Sequence, residues 1–302
     1  MMSVALWREL ESAHDGPITT RDWPNHQHSK FIFRGNIRWH VQMMGSGPAL
    51  LLLHGTGAST HSFRDLMPLL AEHFTVIAPD LPGHAFSEVP RWFEPSLPVM
   101  AAALEELIDA LHVTPQVAVG HSAGAALLAR MTLDGSIDPE LLVGLGAAMV
   151  PFSGVARAVF PRTARLLAAA SKFVDIKVDD TEQVERILRK TGSVLDADGV
   201  ELYRRLSERP AHVSAVLSMM SSWDLQPLYD ELPDLKVPFL LLAGEADRAV
   251  PMAQQREIAR RVRHGRPVVV EGTGHLLHEE QPAKVARLIL DEAAAITKQR
   301  AE

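Results

Sequence analysis

Four short stretches of this chain carry the residue types that let a serine act as a nucleophile. The first is Gly120-His121-Ser122-Ala123-Gly124, which follows an apolar run, Pro115 to Val119, and precedes a small-residue segment, Ala123 to Met131. A serine on so sharp a strand-to-helix turn has its hydroxyl pushed out past the sheet edge, and glycines two before and two after let the crowded backbone turn. Alone the pattern is weak, since ordinary glycine and serine frequencies produce it in roughly one chain in ten of this length. Its partners must carry the argument. A hydroxyl is a poor nucleophile at neutral pH, so an imidazole must take its proton and a carboxylate must hold the imidazole's tautomer and stabilise its charged form. Asp247, in Gly244-Glu245-Ala246-Asp247-Arg248, comes just after the apolar run Phe239 to Leu242. His275, in Glu271-Gly272-Thr273-Gly274-His275, comes just after Pro267 to Val270. Glu245 and His278 are their close rivals.

The fourth stretch is His54-Gly55-Thr56-Gly57-Ala58-Ser59, again directly after an apolar run. Its glycines let backbone amides turn toward a ligand, and the N–H groups of Thr56 and Ala123 are the expected pair of oxyanion donors. A Walker phosphate loop would end in Gly-Lys-Ser/Thr, and a dinucleotide fingerprint would have a third glycine in register; neither pattern is met. A plain turn before a helix is the simpler alternative.

Fourteen histidines is a high count, but His26, His28, His40, His61, His73, His84, His112, His212 and His264 show no tight ligand spacing. No metal site is therefore expected, and serine chemistry calls for no cofactor. His121 reads as a packed, hydrogen-bonded neighbour of the nucleophile and not as a second base. Asp80, in Asp80-Leu81-Pro82-Gly83-His84, follows a strand and resembles an acid candidate, but its Pro-Gly neighbours favour a structural turn.

These loops need a scaffold, and the chain supplies alternating strand and helix patterns. Ile37 to Met44, Ala49 to Leu53, Phe74 to Ala78, Gln116 to Val119, Leu141 to Met149, Pro238 to Leu242 and Pro267 to Val270 read as strands. Met100, Leu104, Leu107, Ile108 and Leu111 line one helix face, and Val285, Leu288, Ile289 and Ile296 another. Short apolar runs alternating with helices predict an α/β fold with a doubly wound, mostly parallel sheet. In such sheets ligands sit beyond strand ends, where all four stretches fall. From Pro151 to Pro227 the rhythm breaks: Val184, Ile187 and Leu188, then Val213, Val216, Leu217 and Met220, have helical spacing with no convincing strand. The expected organisation is a core from 1 to 150, an inserted helical cap from 151 to 227, and the rest of the core from 228 to 302.

Composition excludes other classes. The 302 residues are 47% hydrophobic and 22% charged, ordinary for a globular chain, and a net charge of −7 argues against a nucleic-acid partner. The absence of cysteine excludes disulfides, thiolate metal sites and a cysteine nucleophile. Residues 1–20 contain Glu9, Glu11 and Asp15 and no apolar run of signal-peptide length, and no membrane span is found, so the expected compartment is the cytoplasm.

Taken together, His54-Gly55-Thr56-Gly57, Asp80 to His84, Gly120 to Gly124, Asp247 to Pro251 and Gly274-His275 resemble the α/β-hydrolase superfamily over nearly the whole chain. The order Ser, Asp, His is that superfamily's chain order. Further matches at Asp22-Trp23-Pro24-Asn25, Leu53 to Ser62, Gly120 to Arg130 and Gly199-Val200-Glu201-Leu202-Tyr203 are similar to the magnesium-chelatase accessory proteins encoded with bacteriochlorophyll-biosynthesis genes. That resemblance implies a role near Mg²⁺ insertion into protoporphyrin IX and a contact with the chelatase. Haloalkane dehalogenases and epoxide hydrolases resemble the scaffold too, but carry aspartate at the elbow where this chain has Ser122. Two classes of role, not exclusive of each other, stay open: a serine hydrolase acting on a small-molecule ester, thioester or activated carbon–carbon bond, with a carboxylesterase, meta-cleavage or cofactor-free haloperoxidase-like activity unrelated to pigment synthesis as its alternative, and an accessory or carrier protein that binds a tetrapyrrole or the chelatase.

The cap is where selectivity is expected. Val155, Val159, Leu166, Leu167 and Phe173, with Arg157, Arg162, Arg165 and Lys172, make an apolar segment edged by cations. Such a segment suits a flat ring system with carboxylate arms, such as a porphyrin paired to Arg162 and Arg165, with Trp223 nearby. An ordinary amphipathic cap helix and a peripheral membrane contact have the same pattern.

Overall fold

The structure is a computed structural model that describes residues 19–151 and 180–301. Its centre is an eight-stranded sheet: β1 (Ser29–Arg34), β2 (Ile37–Met44), β3 (Ala49–Leu53), β4 (Thr75–Pro79), β5 (Pro115–His121), β6 (Leu141–Leu145), β7 (Phe239–Gly244) and β8 (Gly265–Val270). Their spatial order is β1-β2-β4-β3-β5-β6-β7-β8. The β1–β2 and β2–β4 pairs are antiparallel and the rest parallel.

The helices are α1 (Leu66–Ala71), α2 (Leu97–Leu111), α3 (Ala123–Asp134), α4 (Thr181–Lys190), α5 (Ala197–Ser207), α6 (Pro210–Ser222), α7 (Gln226–Glu231), α8 (Met252–Arg261), α9 (Leu277–Glu280) and α10 (Pro282–Ala301). Strand side chains alternate between two cores. Leu51, Leu53, Ala118, Phe239 and Leu241 face one that includes Leu104 and Leu107 of α2, Leu127 and Met131 of α3 and Ile258 of α8. Leu50, Leu52, Val117, Val119, Leu240 and Leu242 face the other, with Leu66 and Leu70 of α1 and Val285 and Ile289 of α10. Helices on both faces are why the central strands read as unbroken apolar runs.

Two strand expectations needed correction. β1 is absent from the sequence reading because it is an edge strand of mixed character, with Phe31 and Phe33 exposed beside Lys30 and Arg34. A two-residue turn sets its register: Gly35 and Asn36 both have positive φ, as a type I′ hairpin demands, and Arg34 pairs with Ile37. β6 ends at Leu145, short of the expected Met149, because Gly146 turns the chain away at φ +54°.

Between β6 and β7 the described residues hold α4, α5, α6 and α7 and no strand. No described helix is long and apolar enough to cross a membrane.

Candidate active site

The elbow has the expected strain. Ser122 sits between β5 and α3, at the N-cap of the helix, with φ +50° and ψ −114°, a conformation that costs a non-glycine residue about 1–3 kcal/mol. Neighbouring strands hold it there: Ser122 N–H donates to the Leu145 carbonyl at 2.9 Å, and its own carbonyl accepts from Ala148 at 3.2 Å. Packing leaves no room for larger residues around it. A Cβ on Gly120 would lie 2.4 Å from Ala125 N, and one on Gly124 would lie 2.1 Å from the Leu53 carbonyl. The glycine spacing read from the sequence is thus a requirement of backbone contact between β3, β5 and α3.

Asp247 and His275 meet across the ends of β7 and β8. His275 Nδ1 lies 2.8 Å from Asp247 Oδ2, and the Asp247 side chain is fully buried. The second carboxylate oxygen, Oδ1, accepts the Ala249 and Val250 amides at 2.9 and 2.8 Å, which fixes the plane of the acid. With a carboxylate at Nδ1, the imidazole carries its proton there and presents Nε2 as the basic nitrogen. The elbow touches this pair through His121, whose Nε2–H donates to the His275 carbonyl at 3.2 Å, ring against ring at 4.7 Å.

The rivals point elsewhere. Glu245 accepts the Gly272 amide in an exposed position. His278 is buried with neither ring nitrogen hydrogen-bonded among the described residues, and burial beside His275 pushes its pKa down to about 3.

The loop after β3 lies against the elbow: a Cβ on Gly55 would come 3.1 Å from Ser122 Cβ. Thr56 is exposed, and Ala123 is the first residue of α3, where an amide has no acceptor within the helix. Ala123 thus adjoins Ser122 in the chain, and Thr56 follows the glycine that packs against it.

Asp80 is more than a turn residue. It is buried and bonds to His40 Nδ1 at 2.7 Å, to the Thr60 amide at 2.8 Å and to the Phe86 amide at 3.2 Å. Burial opposes its charge, but His40, His54 and the Thr60 amide outweigh it and hold the carboxyl well below the usual range. Asp80 thus ties β2, the loop after β3 and the loop after β4 together, away from the Asp247–His275 pair.

Sequence reasoning missed three contributors. Gly146 packs against the acid–base pair: a Cβ there would lie 2.9 Å from His275 Nδ1 and 3.1 Å from Asp247 Oδ2. Its only signal was a glycine inside the apolar stretch Leu141 to Met149, which reads as a single strand. His212, given no role in the sequence, reaches from α6 to the Ala85 amide, its Nδ1 accepting at 3.0 Å. Finally, Glu279 of α9, four residues after His275, is buried and pairs with Arg64, while Tyr203 of α5 donates to it at 2.7 Å. Burial pushes Glu279 up to about 7 against the pull of Arg64, and pushes the Tyr203 phenol well above its ordinary value.

Trp223 ends α6, half-buried, with its indole N–H donating to the Pro95 carbonyl at 2.9 Å. It packs on the α2–α3 core. Arg162 and Arg165, together with the apolar and basic residues around them, lie outside the described residues.

Comparison with known proteins identifies the family of the fold. Residues 50–288 match the profile of the Alpha/beta hydrolase family. The chain is 40% identical over 275 residues to the magnesium-chelatase 30 kDa subunit of Rhodobacter capsulatus, covering 89% of this chain and 96% of that one. It is 29% identical to the pimeloyl-[acyl-carrier protein] methyl ester esterase of Aeromonas hydrophila, over 82% and 96% of the two chains. A solved structure of an alpha/beta hydrolase fold protein from Burkholderia ambifaria superposes with TM-score 0.72 at 23% identity, covering 87% of this chain and all of that one. The eight-stranded sheet, the family profile and these relatives agree, and the chain belongs to the alpha/beta hydrolase family.

Proposed function

We propose that this chain is an accessory protein of magnesium chelation in bacteriochlorophyll synthesis, working in the cytoplasm, and that it uses serine hydrolase chemistry. The observation that carries the chemistry is the Asp247–His275 bond beside a serine at positive φ. In this reading Ser122 Oγ attacks a carbonyl carbon and passes its proton to His275 Nε2. Asp247 holds the Nδ1–H and stabilises the imidazolium. The Thr56 and Ala123 amides hold the oxyanion, and His275 then protonates the leaving group. Water, deprotonated by the same imidazole, attacks the acyl-serine carbonyl and releases Ser122. The substrate is a small molecule bearing an ester, thioester or activated carbon–carbon bond, and a porphyrin derivative with carboxylate or ester arms has that chemistry.

Support for the pathway comes from the 40% identity to a protein named as a chelatase subunit. That name also favours a second reading, in which the pocket binds a tetrapyrrole or the chelatase and Ser122 is idle. Gene deletion followed by pigment and porphyrin analysis, complemented with wild type and with Ser122→Ala, separates them. Restoration by wild type alone supports catalysis. Restoration by both supports binding, and an unaltered pigment profile in the deletion strain removes the pathway role and leaves a hydrolase of other substrates.

A further inference from the structure

Two histidines of opposite tautomer staple the loop that carries Thr56. His54 Nε2 accepts the Leu81 amide at 2.9 Å, so its Nδ1–H is left to donate to the Gly55 carbonyl at 2.8 Å. His212 is the converse: Nδ1 accepts the Ala85 amide at 3.0 Å, leaving Nε2–H to donate to the Gly57 carbonyl. His54 belongs to the loop itself, whereas His212 comes from α6 of the inserted helices and is buried. The same helix touches these loops twice more. Thr56 Oγ1 donates to Met219 Sδ at 3.8 Å, and Ala215 packs so close to Gly83 that a Cβ there would lie 2.7 Å from the Ala215 methyl.

We propose that His212 is a positioning residue, which in its Nε2–H tautomer holds the Thr56–Gly57 backbone so that the Thr56 amide stays aimed at the oxyanion. The inserted helices are then part of the catalytic apparatus as well as a cover over it. This inference rests on the serine hydrolase reading and deepens it. The groups facing the ring are His54, His84 at 5.3 Å between centroids, Arg209 and Asp80. Burial, helped by His54 and Arg209, outweighs Asp80 and the Gly57 bond and keeps the ring uncharged, its pKa pushed down to about 3. A charged ring would turn an N–H toward the Ala85 amide and break the staple.

The test compares His212→Gln, which keeps an N–H donor near the Nε2 position, with His212→Asn, which keeps an acceptor near Nδ1. Acylation of Ser122 by a fluorophosphonate probe is timed in each, with Ser122→Ala as the blank. The expected result is a His212→Gln rate within about threefold of wild type and a His212→Asn rate about ten- to a hundredfold lower, since displacement of an oriented group by about 1 Å costs up to two orders of magnitude. Equal rates in both variants, whether unchanged or equally reduced, overturn the proposal. Hydrogen exchange of the Ala58 amide, which bonds to the Gly55 carbonyl within the loop, provides a readout independent of chemistry. Faster exchange in His212→Asn than in His212→Gln supports the staple, and equal exchange refutes it. A wild type that fails to label while showing that exchange difference sinks the hydrolase reading and keeps the loop claim.

Discussion

Replacing Gly146 by alanine isolates the acid–base pair from the rest of the fold. The substitution carries two separate costs. At φ +54° an L residue loses about 1–2 kcal/mol relative to glycine, enough to lower the melting temperature by a few degrees in a chain of this size. The new methyl would also sit 2.9 Å from His275 Nδ1 and 3.1 Å from Asp247 Oδ2, pointing at the two atoms that form the 2.8 Å bond. Relieving that overlap moves the imidazole by roughly half an ångström, and a displacement of about 1 Å costs about a hundredfold in rate, so acylation should fall by about tenfold or more. Gly135 supplies the control. It caps α3 at φ +78° with open space where a Cβ would be, so Gly135→Ala bears the backbone cost alone. Both variants are measured by thermal melting and by the rate of fluorophosphonate labelling. Similar melting losses with labelling slowed only in Gly146→Ala is the expected outcome. If Gly146→Ala labels at the Gly135→Ala rate, the pair next to Gly146 is not the one that activates the nucleophile.

Asp247→Asn keeps the shape of the acid but cannot hold the same imidazole tautomer, and should slow labelling by about 10³–10⁴-fold with little change in melting; a tenfold or smaller loss would assign the acid elsewhere. Gly124→Ala places a methyl 2.1 Å from the Leu53 carbonyl, so soluble yield should collapse, and a well-folded, normally labelled variant would contradict the elbow packing. Glu279 gives a pH signature. Its folded pKa, about 7, lies above the ordinary carboxylate value, so its contribution to stability is complete below about 4.5 and is lost as pH rises through 7, about 3 kcal/mol in all. Glu279→Gln should remove that decline from denaturant melts between pH 5 and 8; an identical slope in both proteins would mean that Arg64 keeps the carboxylate charged throughout.

What could be read from the sequence follows from what each feature depends on. β3 and β7 were legible because strands covered on both faces are apolar at nearly every position, as in Leu50 to Leu53 or Phe239 to Leu242. Ser122, Asp247 and His275 stood out in the sequence because each lies within five residues after an apolar run. β1 was not, since an edge strand carries Phe33 and Arg34 in sequence and takes its place from the Gly35-Asn36 turn and not from burial. Asp80 was legible as a turn but not as a buried partner of His40, 40 residues away. Gly146 and His212 were invisible for the same reason in stronger form. Neither belongs to a motif, and the partner of His212 Nδ1 is an amide 127 positions distant.

Several of the contacts the sequence hid run between the helices after β6 and the loops around the candidate site. His212 of α6 reaches the loops at Gly57 and Ala85. Tyr203 of α5 reaches Glu279, just beyond His275, and Arg64 closes that link from the core side. Ser193, in the connection between α4 and α5, accepts the amide of Leu276, the residue after the base, at 2.8 Å. A cover that only sorted substrates would meet the core through side chains at the pocket rim and leave the catalytic backbone to itself. Here the helices after β6 and their connections instead bond to the backbone of the loop after β4, at Ala85, and of the loop that carries His275, at Leu276. On the proposed serine hydrolase reading, substitutions in these helices act on two quantities at once, what is bound and how well the amides and imidazole are aimed. Labelling with a small probe, too simple to sense the pocket's selectivity, reads the second quantity alone.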